Sequence, residues 1–143
     1  MGIPASVRGQ VWSRAISNRM NITNEVYCAV LHAARANRKK LEADSGFALR
    51  QSILHLIEVD VPRTFPSLPL FQAGGQFHEP LKELLESFHL YRGDVGYVQG
   101  MSHLAAMLLM FMDQEAAFRC MVNMLSDHFF VTLFRMELSG LLK

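Results

Sequence analysis

No run of apolar residues in this sequence is long enough to cross a membrane. The longest, Met101 to Met112, is broken early by Ser102 and His103. It covers about half of the roughly 20 residues that a spanning helix needs, and it reads as a buried core helix. Cysteine is scarce as well. Cys28 and Cys120 lie far apart with no Cys-x-x-Cys spacing, which argues against a disulfide framework and for a reducing compartment. Both sit among apolar residues and read as small core residues. The N-terminus runs straight into Pro4, Arg8 and polar residues, without the apolar stretch of a secretory signal. The six histidines are scattered without metal-ligand spacing, so no metal site is expected. Net charge is nearly absent, at a formal +1, too little to mark a nucleic-acid-binding surface.

What is present suits a packed helical domain, or a piece of one, within 143 residues. Half of the residues are hydrophobic and 19% are charged, a balance that supports a core and argues against disorder. Glycine and proline are few and clustered, which favours helices. The charge is uneven. Residues 1–72 carry nine Lys/Arg against five Asp/Glu, and residues 73–143 carry five against eight. The densest basic run is Arg35, Arg38, Lys39 and Lys40, with Arg50 beyond it. It could draw an acidic partner or anionic lipid; the ordinary reading is a solvated helix end, where basic side chains suit the dipole.

Six or seven helices can be read, and no alternating strand pattern of useful length, so the expected class is all-α. Pro4 suits a first helical turn, followed by an apolar face of Val7, Val11, Trp12 and Ala15. Thr23 is a candidate N-cap for a second helix with Val26, Tyr27, Val30, Leu31 and Ala34 on one face. A third helix begins near Phe47 and is expected to stop at Val61, because the residue before a proline is pushed out of the helical region. Prolines 62, 66 and 69 with Gly74 and Gly75 punctuate a long loop. A fourth helix spans about 77–91, and two more run over about 100–112 and 113–127, the last with Asp113 as N-cap. Trp12, Leu54, Ile57, Leu85, Phe88, Leu104 and Leu108 are the expected core. The apolar segment from Phe129 to Leu142 reads as an element cut from a larger fold or one that packs back on this core, and an exposed apolar patch of that size is expected to lead to self-association or to a poorly ordered last helix.

Two loops are candidates for chemistry, since polar function concentrates in loops on a rigid scaffold. In Asp60-Val61-Pro62-Arg63-Thr64-Phe65-Pro66 an arginine stands between prolines, with Asp60 placed to hold its guanidinium. Taken alone, such a pair beside a helix end is usually structural. In the segment from Arg92 to Gly100, Gly93 and Gly96 bracket Asp94, and Tyr97 and Gln99 precede a Gly-Met helix start. A glutamine on such an elbow can orient a water or cap a helix, and capping is the ordinary reading. Arg8 and Trp12 form an i,i+4 pair in which the indole can pack under the guanidinium; a core tryptophan with a covering arginine is the plainer account. No nucleophile–base pair, metalloprotease motif or phosphate-binding loop is present.

Together these features resemble a known family. Arg8-Gly9-Gln10-Val11-Trp12 is similar to its R-x-x-x-W motif, Ile57 to Thr64 to its I-x-x-D-x-x-R-T motif, and Tyr97-Val98-Gln99-Gly100-Met101 to its Y-x-Q-G-M motif. The family is the TBC domain of Rab GTPase-activating proteins, and the order of motifs and the Gly-Ile-Pro and Arg-Thr-Phe-Pro flanks agree with it. Residues 21–23, 71–75 and 94–97 resemble the branch associated with recycling endosomes and autophagy. The resemblance implies an irregular multi-helix fold, of which residues 1–143 would be the N-terminal part, truncated before the second helical half. It also implies a GTPase activator rather than an enzyme with turnover of its own. Arg63 would be an arginine finger and Gln99 a glutamine finger, both inserted in trans into a Rab in its GTP form. Asp60 and Arg8 would orient them, Trp12 would anchor the first helix, Tyr97 would fix the second loop, and Thr64 and Gly100 would complete the supporting set. GTP and Mg²⁺ would belong to the partner, leaving this chain without a cofactor. The implied location is cytoplasmic, peripheral to endomembranes such as endosome, Golgi or autophagosome. A Rab-binding or scaffold module without activity is the alternative. Pro62 directly precedes Arg63, and the sequence leaves open whether it stiffens or misdirects the finger.

Overall fold

The computed structural model describes residues 2–43, 52–126 and Thr132. Its described elements are six α-helices and one short 3-10 turn, with no strand among the described residues. They are α1 (Ala5–Ile16), α2 (Asn24–Ala43), α3 (Ile53–Arg63), α4 (His78–Tyr91), α5 (Met101–Leu109) and α6 (Gln114–Met124), with the 3-10 turn at Pro69–Phe71. No helix among the described residues is long and apolar enough to cross a membrane. The expectations for Phe47, Arg50 and, apart from Thr132, the 129–142 segment fall outside the described residues.

The central helix is α4. Leu81, Leu84, Leu85 and Phe88 repeat at helical spacing and are fully buried. Around them pack α2, α3, α5 and α6, while α1 lies on α6. Asp113 caps α6 as its position implied, accepting the Ala116 amide at 2.8 Å. Thr23 sits at the start of α2, where its carbonyl accepts the Tyr27 amide. Leu54, Ile57, Leu85, Phe88 and Leu108 lie in the core as expected. Trp12 and Leu104 are only half-buried, because they line an apolar groove of about 240 Å³ with Ile16, Met107 and Met124.

Four readings of the sequence need correction. The first concerns α1, where Val7 and Val11 are exposed. The helix instead turns Gly9 inward, so close to the loop after α5 that a Cβ there would run into the Phe111 carbonyl. The absence of a side chain, not an apolar stripe, sets the buried face. Gly9→Ala is therefore expected to lower stability by about 1–3 kcal/mol through overpacking. The measurement is urea unfolding, with a lower midpoint at an unchanged slope; an unchanged midpoint would mean that α1 simply slides aside.

The second concerns Cys28, which is exposed on α2, with Asn24 Oδ1 3.6 Å from its sulfur, whereas Cys120 is buried. The third concerns the basic run. Arg35, Lys39 and Lys40 are exposed as that reading expects, but Arg38 is mostly covered, and both arginines reach acids on α4: Arg35 pairs with Glu83 at 2.6 Å, and Arg38 with Glu86 at 2.7 Å and Glu79 at 3.1 Å. The fourth concerns the end of α3. The helix continues through Pro62 to Arg63 instead of stopping at Val61. A proline in the last turn forfeits one backbone bond. Replacements close that turn, since the Thr64 amide donates to Val61 O at 3.1 Å and the Thr64 hydroxyl to Asp60 O at 2.8 Å. Burial of Leu54, Ile57 and Val61 holds the helix against the core meanwhile.

Candidate functional site

Asp60 and Arg63 thus stand on the last turn of a helix and not on a loop. Three positions apart, they share one side of α3, and the guanidinium folds back to donate to Asp60 Oδ1. The Asp60 side chain is 4% exposed and that of Arg63 58% exposed. The pair joins a fixed anchor to an outward-facing cation.

The second oxygen of Asp60 is used too. Tyr97, from the segment between α4 and α5, donates its hydroxyl to Asp60 Oδ2 at 2.8 Å. Burial, reinforced by this bond to the carboxylate, pushes the Tyr97 phenol above its ordinary range, so it stays a neutral donor. One buried carboxylate therefore ties together two segments far apart in sequence. Thr64 is fully buried and bonded to the Asp60 carbonyl.

Local geometry fixes the Tyr97 segment. Arg92 grips Asp94 with two bonds of 2.8 Å, and this partner holds the Asp94 carboxyl down at about 2. Gly96 and Gly100 take φ of 71° and 97°, the left-handed region that favours glycine. Gly100 is the N-cap of α5. Gln99, just before it, is exposed, and its side chain has no hydrogen-bond partner among the described residues. It does not cap α5, so the plainer alternative for this glutamine is absent from the structure.

Arg8 and Trp12 belong to a different cluster. The Arg8 guanidinium carbon lies 4.7 Å from the centre of the Phe111 ring and 5.9 Å from that of Trp12, and its NH2 donates to Ile3 O at 3.0 Å. Trp12 meets Phe111 edge-on at 5.1 Å. These contacts fasten α1 to the loop after α5. The structure therefore brings together Asp60, Arg63, Thr64 and Tyr97, with Gln99 and Gly100 following Tyr97 in the chain, while Arg8 and Trp12 make their contacts with Ile3 and Phe111.

Two contributors went unread in the sequence. Gln72 donates to the Pro62 carbonyl at 3.0 Å and braces the end of α3. Phe65 adopts φ 46°, a conformation that a bulky residue pays for with about 1–3 kcal/mol and keeps only where its surroundings impose it. Its ring lies 6.0 Å from Phe71 and 5.1 Å from His103, the latter edge-on. Nothing in the residue type announces a left-handed phenylalanine, and the one available signal was its place between Thr64 and Pro66.

The site thus holds a buried acid that grips an exposed arginine and, through Tyr97, the segment that carries the exposed Gln99; no group of three or more metal-ligating side chains occurs among the described residues. Arg63 and Gln99 are exposed polar groups on the surface of the described residues. Comparison with known proteins agrees in kind: residues 5–143 match the Rab-GTPase-TBC domain, and the chain belongs to that family. It is similar to TBC1 domain family member 12 of Xenopus tropicalis, 41% identical over 152 residues that take in 99% of this chain and 22% of that protein. It is also similar to human TBC1 domain family member 14, 42% identical over 146 residues, covering 95% of this chain and 21% of the relative. Drainin of Dictyostelium discoideum is 33% identical over 183 residues, 99% of this chain and 42% of its own length. The chain thus spans about a fifth of the length of the first two relatives.

Proposed function

We propose that this chain accelerates GTP hydrolysis by a Rab-family GTPase, with Arg63 and Gln99 inserted in trans. The observation that carries the reading is the division of labour at Asp60. One carboxylate oxygen holds Arg63 and the other holds Tyr97, two residues from Gln99. Two outward-facing polar side chains are thereby borne by segments locked to one buried point, as a shared nucleotide requires.

In this mechanism the Arg63 guanidinium spreads its charge over the phosphate oxygens as negative charge builds in the transition state. Its planar fork can do so while one N–H stays on Asp60. The Gln99 carboxamide oxygen accepts a hydrogen bond from the attacking water and fixes the direction of attack. GTP and Mg²⁺ come with the partner. The setting is the cytoplasmic face of endomembranes, on the recycling or autophagic routes, and self-association through residues 129–142 accompanies it.

The test is phosphate release from a panel of GTP-loaded Rabs. Acceleration of at least one, lost on substitution of Arg63, supports the proposal. Binding without acceleration would instead make the chain a Rab-binding scaffold.

A further inference from the structure

We infer that Phe65 and His103 form a second, aromatic tie between the two finger segments, which makes His103 a positioning residue for the reaction proposed above. The inference rests on that reading for its function and on independent geometry for its existence. Asp60 and Tyr97 are joined by one side-chain hydrogen bond, and both segments share the core through Ile57, Val61, Val98 and Met101. Phe65 follows Arg63 by two residues, and His103 follows Gln99 by four. Their rings meet edge-on at 5.1 Å, a preferred aromatic arrangement. The ring pair adds a second side-chain contact between the two segments outside that core.

The backbone supports the same conclusion. α3 ends at Arg63 and Thr64 caps it in an extended conformation. The next residue, Phe65, turns left-handed at φ 46°, and the turn closes where the Leu68 amide donates to Phe65 O at 2.8 Å. The ring then sits between Phe71, which is fully buried, and His103 in the first turn of α5. His103 is exposed, and its side chain makes no hydrogen bond among the described residues. The ring contact is what engages it. The backbone of the same turn is pinned by the His103 amide donating to Gly100 O at 3.1 Å. The direction of Arg63 and the elbow bearing Gln99 therefore meet a second time at this pair.

The experiment compares the full chain with His103→Ala, His103→Phe and Phe65→Gly. The last accepts the left-handed φ without strain while removing the ring. Two readouts are taken: the Arg63 side-chain ¹⁵Nε resonance of the free protein, and kcat and KM for GTP hydrolysis by the responsive Rab. His103→Ala and Phe65→Gly are expected to move the Arg63 resonance and to lower kcat by about three- to tenfold, with KM held within about twofold. His103→Phe keeps a ring at the contact and is expected to restore both. The inference is overturned if His103→Ala leaves kcat and the resonance at parental values. It is also overturned if His103→Phe keeps the resonance but not the rate, which would give the imidazole a direct part on the partner. Should the parent accelerate no Rab, the proposed function falls by itself. The resonance then decides the tie: a shift in His103→Ala that returns in His103→Phe supports it, and an unmoved signal overturns it.

Discussion

Arg63→Ala is expected to lower the maximal rate of Rab GTP hydrolysis by about a thousandfold or more, with little loss of stability. The two halves of that expectation come from different facts. The side chain is 58% exposed, and exposed substitutions usually change stability by no more than about 0.5 kcal/mol. A charge-neutralising contact made only in the transition state, in contrast, is lost from kcat and not from ground-state binding. Arg63→Lys is expected not to rescue, because a compact ammonium cannot span several phosphate oxygens. Gln99→Ala should likewise abolish most stimulation, and at no structural cost, since its side chain supports nothing else among the described residues. Asp60→Ala should be milder in rate, because it removes the holder and not the finger. It should be harsher in stability, by about 1–3 kcal/mol, because it strips the buried Tyr97 hydroxyl of its acceptor. The measurement is single-turnover phosphate release with saturating activator, alongside urea unfolding of each variant. An Arg63→Ala protein that still accelerates its Rab like the parent would place the chemistry elsewhere.

The same residues mark what could be read from the sequence. Helix existence was legible, because Leu81, Leu84, Leu85 and Phe88 repeat at the helical period and are all buried. The three motifs were legible as patterns of residue types. The end of α3 was not. The rule that helices stop before proline weighs local sterics, while the bonds from Thr64 and the burial of Val61 are tertiary facts that outweigh it. Nor was the buried side of α1, since counting apolar residues favoured Val7 and Val11, and the deciding residue was a glycine whose missing side chain admits Phe111. The contacts of Asp60 with Tyr97 and of Phe65 with His103 span 37 and 38 positions, a separation at which periodicity carries no information. Arg35 and Arg38 looked like a solvated run because their partners, at the same period on α4, lie more than 40 residues away.

Those partners support the largest stability effect expected for this fold. Arg38 donates to Glu86 at 2.7 and 2.9 Å and to Glu79 at 3.1 Å, while Glu86 is itself 4% exposed. Removing one member of a buried ion pair leaves the other charged in a poorly solvated place, which destabilises by about 3–5 kcal/mol. Arg38→Ala is expected near the lower end, because Lys82 also faces Glu86 and partly replaces the lost charge. Burial already pushes the Glu86 carboxyl above its ordinary value; the bond to Arg38 and the charges of Arg38 and Lys82 oppose that shift, and Glu79 adds to it. Glu42 and Glu58 line the same small cavity and add no cation. Without Arg38 the Glu86 pKa should rise further. A carboxyl with a folded pKa above its unfolded one binds its proton more tightly in the folded state. The loss in Arg38→Ala should therefore be full at neutral pH and shrink as pH falls through the raised Glu86 value, since a neutral acid needs no guanidinium. Arg38→Met combined with Glu86→Leu should recover most of the stability at neutral pH, because it removes the uncompensated charge together with its partner. Urea unfolding at several pH values separates these outcomes. A loss that stays constant with pH, or a double variant no more stable than Arg38→Ala, would mean that the packing of the Arg38 stem holds α2 to α4 and that its charge does not.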